Sequence, residues 1–556
     1  QMNNIMFLAR LLVLFSLVCI SCAHSSFEQK QLKHALDFAT SNRLELEILL
    51  QHYTYDSLKL EAAKFLIRNM PHCYSYQQGG EMDSVKRVRT YYSPFGQIDQ
   101  TYARRWGHYT YRNLLKIYDA HIITAEYLID NIDRAFDNWQ KRPWNRSLSF
   151  EDFCEYLLPY RIGDEPLEEW RELYEKKYGY LLDSIYKGSD VVEAANLVSR
   201  HLQEPVFIYC EDFELPHIGP RYLFSHRYGS CVDAADIVTY AFRAVGIPCM
   251  EDTDARGGHV WNVVRDTTGR DVPIWYIASE AVRGSRDTGG YKRGKVYRPM
   301  YGFQEEKAAH LGDDWKSVPL LFYHPYMKDV SYAYYPDTLR ILTGIPDGEV
   351  CYLAHFHEAH WWSCACARSA SGKMEIPNLE SELVYLPMKY TKGNYYPSGF
   401  PFWFAGGEIN TFLPDWEKTV KVRLYRKYPV YGWLHSFMGH VVGGTFEGSM
   451  TKNFEDGKTL YEIADTPVIA RNRIFLNKPV KCRYIRYKAD NDKCAELAEM
   501  TFYANGKAVS PIAVWGSPTE KGNMHVLAKH VADGDPLSYY LSLDKGCLLY
   551  TSPSPR

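Results

Sequence analysis

Tyr228-Gly229-Ser230-Cys231 opens a stretch that runs through Gly246-Ile247-Pro248 to Gly257-Gly258-His259-Val260-Trp261. Its middle has a helical pattern: Ala234, Val238, Ala241, Phe242 and Val245 recur at the spacing of one helix face. Ser230 suits the N-cap, and Asp233, three residues on, makes a loose capping box. Gly246 suits the position just past the helix, and Pro248 stops it. Cys231 therefore falls in the first turn of a buried helix, where the partial positive charge of the helix end favours a thiolate. His259 heads a run to Arg265 that reads as a strand. An imidazole there can pair with the thiolate and act as general base and acid. The competing reading is a buried, inert cysteine, because Cys is among the residues most often packed as a small hydrophobe.

The order of capped-helix Cys, Gly-Ile-Pro stop and Gly-Gly-His-Val-Trp strand resembles the transglutaminase-like superfamily over roughly residues 224 to 304. The resemblance implies a papain-like core with Cys231 as nucleophile, His259 as its base and an acid on the next strand. The superfamily also contains inactive members.

The acid is where this chain departs. Asp266-Thr267-Thr268-Gly269 reads as a hairpin turn. Folding about it sets Tyr276 roughly opposite His259, with Ile274 and Ala278 on the same face, where the family carries Asp. Asp271 has the wrong parity. Glu280 has the right one but lies about 13 Å along an ideal strand from Tyr276, so it needs a bulge or returning loop to reach His259. Glu280 is the expected third residue; the alternative is that both are surface carboxylates.

The rest of the chain sets the context. Met2 to Ser21 reads as a signal peptide whose apolar run, Leu11 to Ile20, is too short to span a bilayer. Ile20-Ser21-Cys22 resembles a relaxed bacterial lipobox, implying acylation at Cys22, with plain secretion as the alternative. Of the 13 cysteines, only Cys19 and Cys22 have C-x-x-C spacing, so the mature chain carries no zinc or thioredoxin pattern. Cys154 reads as a buried helix cysteine. A net charge of -3 gives no bulk reason to expect nucleic acid. The 45 tyrosines and 13 tryptophans suit carbohydrate or peptide contact, or equally aromatic-rich β cores.

These features predict a multidomain α+β protein. A signal segment occupies residues 1–22 and a helical region 23–145, whose last helix is expected to begin near Leu115 and Tyr118. A transglutaminase-like core follows over 146–312, with 284–302 as a solvated Gly/Arg/Lys-rich loop. Two antiparallel β-sandwiches are expected at 313–432 and 433–546. Residues 547–556 resemble translated sequencing adaptor and are set aside, and the natural chain is expected to run further. His355, His357 and His360 cluster in the first sandwich. They lack the i, i+4 spacing of a helical zinc motif and read as strand and turn residues, so neither metal nor cofactor is expected.

Two further resemblances refine this reading. Tyr484-Ile485-Arg486-Tyr487 with Ala498 to Phe502 resembles a galactose-binding-like, discoidin-type module. Phe65 to Pro71, Asn131 to Phe136, Phe150 to Arg161, the core and Lys295 to Arg298 together resemble large transglutaminase-like lipoproteins of gut Bacteroidota. The expected function is an exported thiol hydrolase or acyltransferase acting on peptide or glycopeptide amides. It would sit in the cell envelope as an outer-membrane lipoprotein, on the periplasmic or the surface side. The alternative is an inactive glycan- or glycopeptide-binding lipoprotein.

Overall fold

The computed structural model describes residues 27–80, 82–84, 86, 111–204, 206–209, 215–256, 258–275, 280–286, 292–304, 320–357, 360–421, 437–468, 471–517, 527–535 and 538–553. Cys22 and Tyr276 lie outside these residues. The protein is mixed helix and sheet with several antiparallel sheets. It divides into two compact units, the second beginning at Asp415.

In the first unit the helices 27–38, Arg43–His52, Ser57–Asn69 and Ala125–Lys141 share a core with residues 148–160 and Tyr301. The last of these helices starts later than its apolar spacing predicts. Lys116–Tyr118 instead pairs with Tyr74–Tyr76 as a two-stranded sheet. Thr124 then caps the helix by accepting the Tyr127 N–H at 3.2 Å. Buried Asp119 holds the intervening turn in place by taking two guanidinium bonds from Arg161, each 2.6 Å.

The next layer is the helix Cys231–Ala244, lying on a five-stranded antiparallel sheet ordered Asp271–Ile274, Val260–Arg265, Cys249–Asp254, Val296–Pro299, Met327–Asp329. This sheet extends past residue 312, since its last strand lies at Met327–Asp329. The helix ends as its sequence dictates. Gly246 has φ +80°, and Ile247 N–H reaches back to the Phe242 carbonyl at 2.9 Å. The carbonyls left over at that end are claimed by the helical region: Ala244 by Asn138, Val245 by Arg142, and Gly246 by both Trp144 and Asn145, all at 2.8–3.0 Å. The N-terminal helices therefore complete the far end of the cysteine helix as well as packing beside it.

The basic stretch near 292–298 is solvated only at Lys292. Arg293, Lys295 and Arg298 are buried. Arg298 meets Asp252 at 2.6 Å and Asp271 at 2.8 Å, and Lys295 meets Asp329 at 2.7 Å. The Arg298 and Lys295 charges thus each have an opposite charge within contact, and the Arg293 guanidinium lies over the Trp261 ring at 4.8 Å from its centroid.

A β-sandwich follows in the same unit. One sheet runs His360–Arg368, Val350–His357, Leu383–Thr391, Phe402–Ala405, Glu408–Thr411, with Asn394–Pro397 pairing beside it; the other is Asp337–Leu342 with Lys373–Leu379. Leu339, Leu353, Met374 and Phe402 share its core. Tyr297 donates to the Cys364 carbonyl at 2.7 Å, and Glu380 accepts the N–H groups of Arg293 and Gly294. The sandwich is therefore bonded to the core sheet.

The second unit holds a five-stranded antiparallel sheet ordered Lys458–Glu462, Thr445–Ser449, Tyr484–Lys488, Leu548–Pro553, Pro511–Gly516. Residues 548–553, set aside from the sequence, occupy an interior strand. Leu549 and Thr551 are buried at the two-residue period of a half-buried strand.

Candidate functional site

Cys231 is the first residue of its helix, and the capping is tight. Asp233 accepts the backbone N–H of Ser230 at 2.8 Å and its hydroxyl at 3.2 Å. Gly229 is required here: its φ is +154°, and a Cβ would come within 2.2 Å of the Asp233 carboxylate.

His259 immediately precedes the strand Val260–Arg265. The strand is fastened to the cysteine helix by Asn262, whose amide donates to the Ala235 carbonyl at 3.0 Å and the Thr239 hydroxyl at 2.9 Å. Cys231, Ala235 and Thr239 follow one another up one helix face. The structure thus packs together the two elements that carry the candidate dyad. Both residues are nearly enclosed, Cys231 at 6% and His259 at 8% exposure.

The imidazole of His259 meets the indole of Trp275 edge-on at 4.7 Å between centroids, and lies 5.6 Å from Trp261. Trp261 is anchored on the far face of the sheet by donating to the Tyr334 hydroxyl at 2.9 Å, which in turn donates to Asp252.

The expected third residue is engaged elsewhere. Glu280 Oε1 accepts from Arg200 Nη1 at 2.5 Å, and both side chains are 54% exposed. The two line a shallow groove of about 450 Å³ with Tyr186, Glu193 and Asn196. The turn at Asp266 forms as expected, its carboxylate accepting from the N–H groups of Thr268 and Arg270. However, the strands pair Asn262 with Ile274, one residue away from the register read from the sequence. In this register Asp271 pairs with Arg265 and so shares the face of Trp261, not the opposite face read from the sequence, and it accepts there from Tyr156 and Arg298.

Three other buried thiols are held in the protonated form. Burial pushes Cys73 and Cys249 up to about 12 and raises Cys154 further. Among the described cysteines none is in a disulfide. Among the described residues no group of three His, Cys, Asp or Glu is placed to hold a metal ion. No described helix is long and apolar enough to cross a membrane.

Two features were not read from the sequence. His217 Nδ1 lies 2.9 Å from the fully buried carboxylate of Asp236. Burial works to lower this imidazole, but Asp236, Asp164 and Glu165 outweigh it and hold it well above its ordinary range. Asp236 stands about 7.5 Å along the helix from Cys231 and about 140° around it, so the pair faces away from the thiol. An acid inside the apolar run 234–245 was the available signal. The second feature is Asp254, one strand over from His259. Its carboxylate accepts the N–H groups of Arg256 and Gly258, each at 2.9 Å.

No protein-family model, curated protein or solved structure matches this chain.

Proposed function

We propose that the protein is an exported thiol-dependent hydrolase or acyltransferase that acts on amide bonds of peptides or glycopeptides, with Cys231 as nucleophile and His259 as its base. The observation that carries this reading is the placement of Cys231 at N1 of a capped helix, tied through Asn262 to the strand that His259 heads. His259 takes the thiol proton, and the thiolate attacks the substrate carbonyl carbon. The backbone N–H of Cys231, at the start of the helix, would help hold the oxyanion. His259 returns the proton to the leaving amine. Water, or a second amine, then releases the acyl group and regenerates the thiol.

This reading carries with it a transglutaminase-like identity for the core, a lipid anchor at Cys22 holding the protein to the cell envelope, and a galactose-binding-like second unit that holds carbohydrate. A second reading, an inactive glycan- or glycopeptide-binding lipoprotein, is favoured by the pairing of Glu280 with Arg200 and by the indole of Trp275 against His259. Alkylation by iodoacetamide at neutral pH separates the two. Cys231 modified well above the rate of an ordinary thiol supports the enzyme; modification at the ordinary rate supports the binding protein.

A further inference from the structure

The hairpin that presents His259 is clamped from two sides. Within the hairpin, the Asp254 carboxylate collects the N–H groups of Arg256 and Gly258 and faces the Arg256 guanidinium at 3.1 Å. Both side chains of this ion pair are nearly buried. Gly258 leaves the guanidinium its space: a Cβ there would lie 2.8 Å from Arg256 Nη2. The His259 carbonyl is held in turn by the Thr253 hydroxyl at 3.0 Å and the Asp254 N–H at 3.4 Å.

The second side is the β-sandwich. The Arg256 guanidinium lies over the Trp362 indole, 5.9 Å from the ring centroid. Ala255 packs against both apolar clusters of the sandwich. A residue more than one hundred positions along the chain therefore closes the outer side of the hairpin.

We propose that Arg256 is a positioning residue for His259, its guanidinium held between Asp254 and Trp362 so that the β-sandwich fixes the imidazole that serves Cys231. The proposal rests on the Cys231–His259 reading. Removing the guanidinium leaves the Asp254 carboxylate buried without its cation and frees the hairpin to shift. A misplacement of about 1 Å at a reacting group costs on the order of a hundredfold in rate.

The test uses the full chain and the variants Arg256→Met, Trp362→Ala, Trp362→Phe and His259→Asn. Two quantities are read: the pH midpoint of iodoacetamide alkylation at Cys231, located by peptide mapping, and hydrogen exchange of the 254–260 amides. Arg256→Met is expected to slow alkylation at neutral pH by on the order of tenfold or more. Its midpoint should move toward that of an ordinary thiol, about 8.5, and hairpin exchange should quicken. Trp362→Ala should move both readouts the same way by a smaller amount, and Trp362→Phe should restore them. Trp362 is 37% exposed, so that variant decides the matter if Arg256→Met does not fold. Wild-type midpoint and exchange in Arg256→Met, or in Trp362→Ala where the former is unfolded, overturn the proposal. A wild-type midpoint equal to that of His259→Asn overturns it as well, but through the dyad, since that comparison leaves the clamp untouched.

Discussion

The side-chain amide of Asn262 donates to the carbonyl of Ala235 at 3.0 Å, fastening the strand behind His259 to the helix behind Cys231. The same amide also donates to Thr239, and Asn262 is fully buried. Asn262→Ala removes both bonds and is expected to lower the unfolding free energy of the first unit by about 1–3 kcal/mol. Denaturant titration measures this loss. Alkylation of Cys231 should slow in the same variant, since the strand that seats His259 is no longer tied to the helix.

Glu280 gives the opposite expectation. Its carboxylate is half-exposed and paired with Arg200 on the surface. An exposed pair of this kind contributes about 0–1 kcal/mol. Glu280→Gln is therefore expected to leave the alkylation rate and pH midpoint of Cys231 within about twofold of wild type, with a stability loss under about 1 kcal/mol. A tenfold drop in alkylation at preserved stability would restore Glu280 to the site.

The helix that opens at Cys231 was legible because its signals are local. Its apolar period, the Ser230–Asp233 box and the Gly246 stop are each contained within a few residues, and the hydrogen bonds at both ends follow them. The third residue was not legible for a different reason. Register depends on how many residues the turn consumes, and five residues between Arg265 and Asp271, not four, shift each opposite pair by one. Arg298 and Lys295 were misread because the carboxylates that neutralise them, Asp252 and Asp329, lie far off in sequence. Charge without a visible partner reads as solvated surface. The Arg256–Trp362 contact was hidden in the same way.

Gly229 tests the capping box directly. A methyl group there meets the Asp233 carboxylate at 2.2 Å, at a backbone angle that side chains rarely adopt. Gly229→Ala should destabilise by about 1–3 kcal/mol through backbone strain and loss of the cap. Thermal unfolding followed by circular dichroism reads the loss. Because Asp233 must swing away from the Ser230 N–H, alkylation of Cys231 should fall along with stability.

The last prediction concerns acid. His355 lies on the sandwich strand opposite Trp362, is 1% exposed, and neither of its ring nitrogens has a hydrogen-bond partner among the described residues. Burial lowers its pKa from 6.5 to about 4, and the charges of Arg256 and His357 push the same way. The sign follows from proton counts. Between about pH 4 and 6.5 the unfolded chain binds a proton at this position and the folded chain does not. Stability contributed by the neutral ring is thus fully present above pH 6.5 and is lost progressively as the pH falls toward 4. The whole effect is on the order of 3 kcal/mol for a shift of this size. His72, half-buried and stacked on Tyr326, is lowered to about 3 and adds a slope of the same sign. Replacing the titrating ring in His355→Phe should flatten the dependence of unfolding free energy on pH between 4 and 6.5, while leaving the His72 contribution in place. Denaturant titrations at half-unit pH steps check this. An unchanged slope in His355→Phe would mean that the ring takes up its proton in the folded protein as readily as in the unfolded chain.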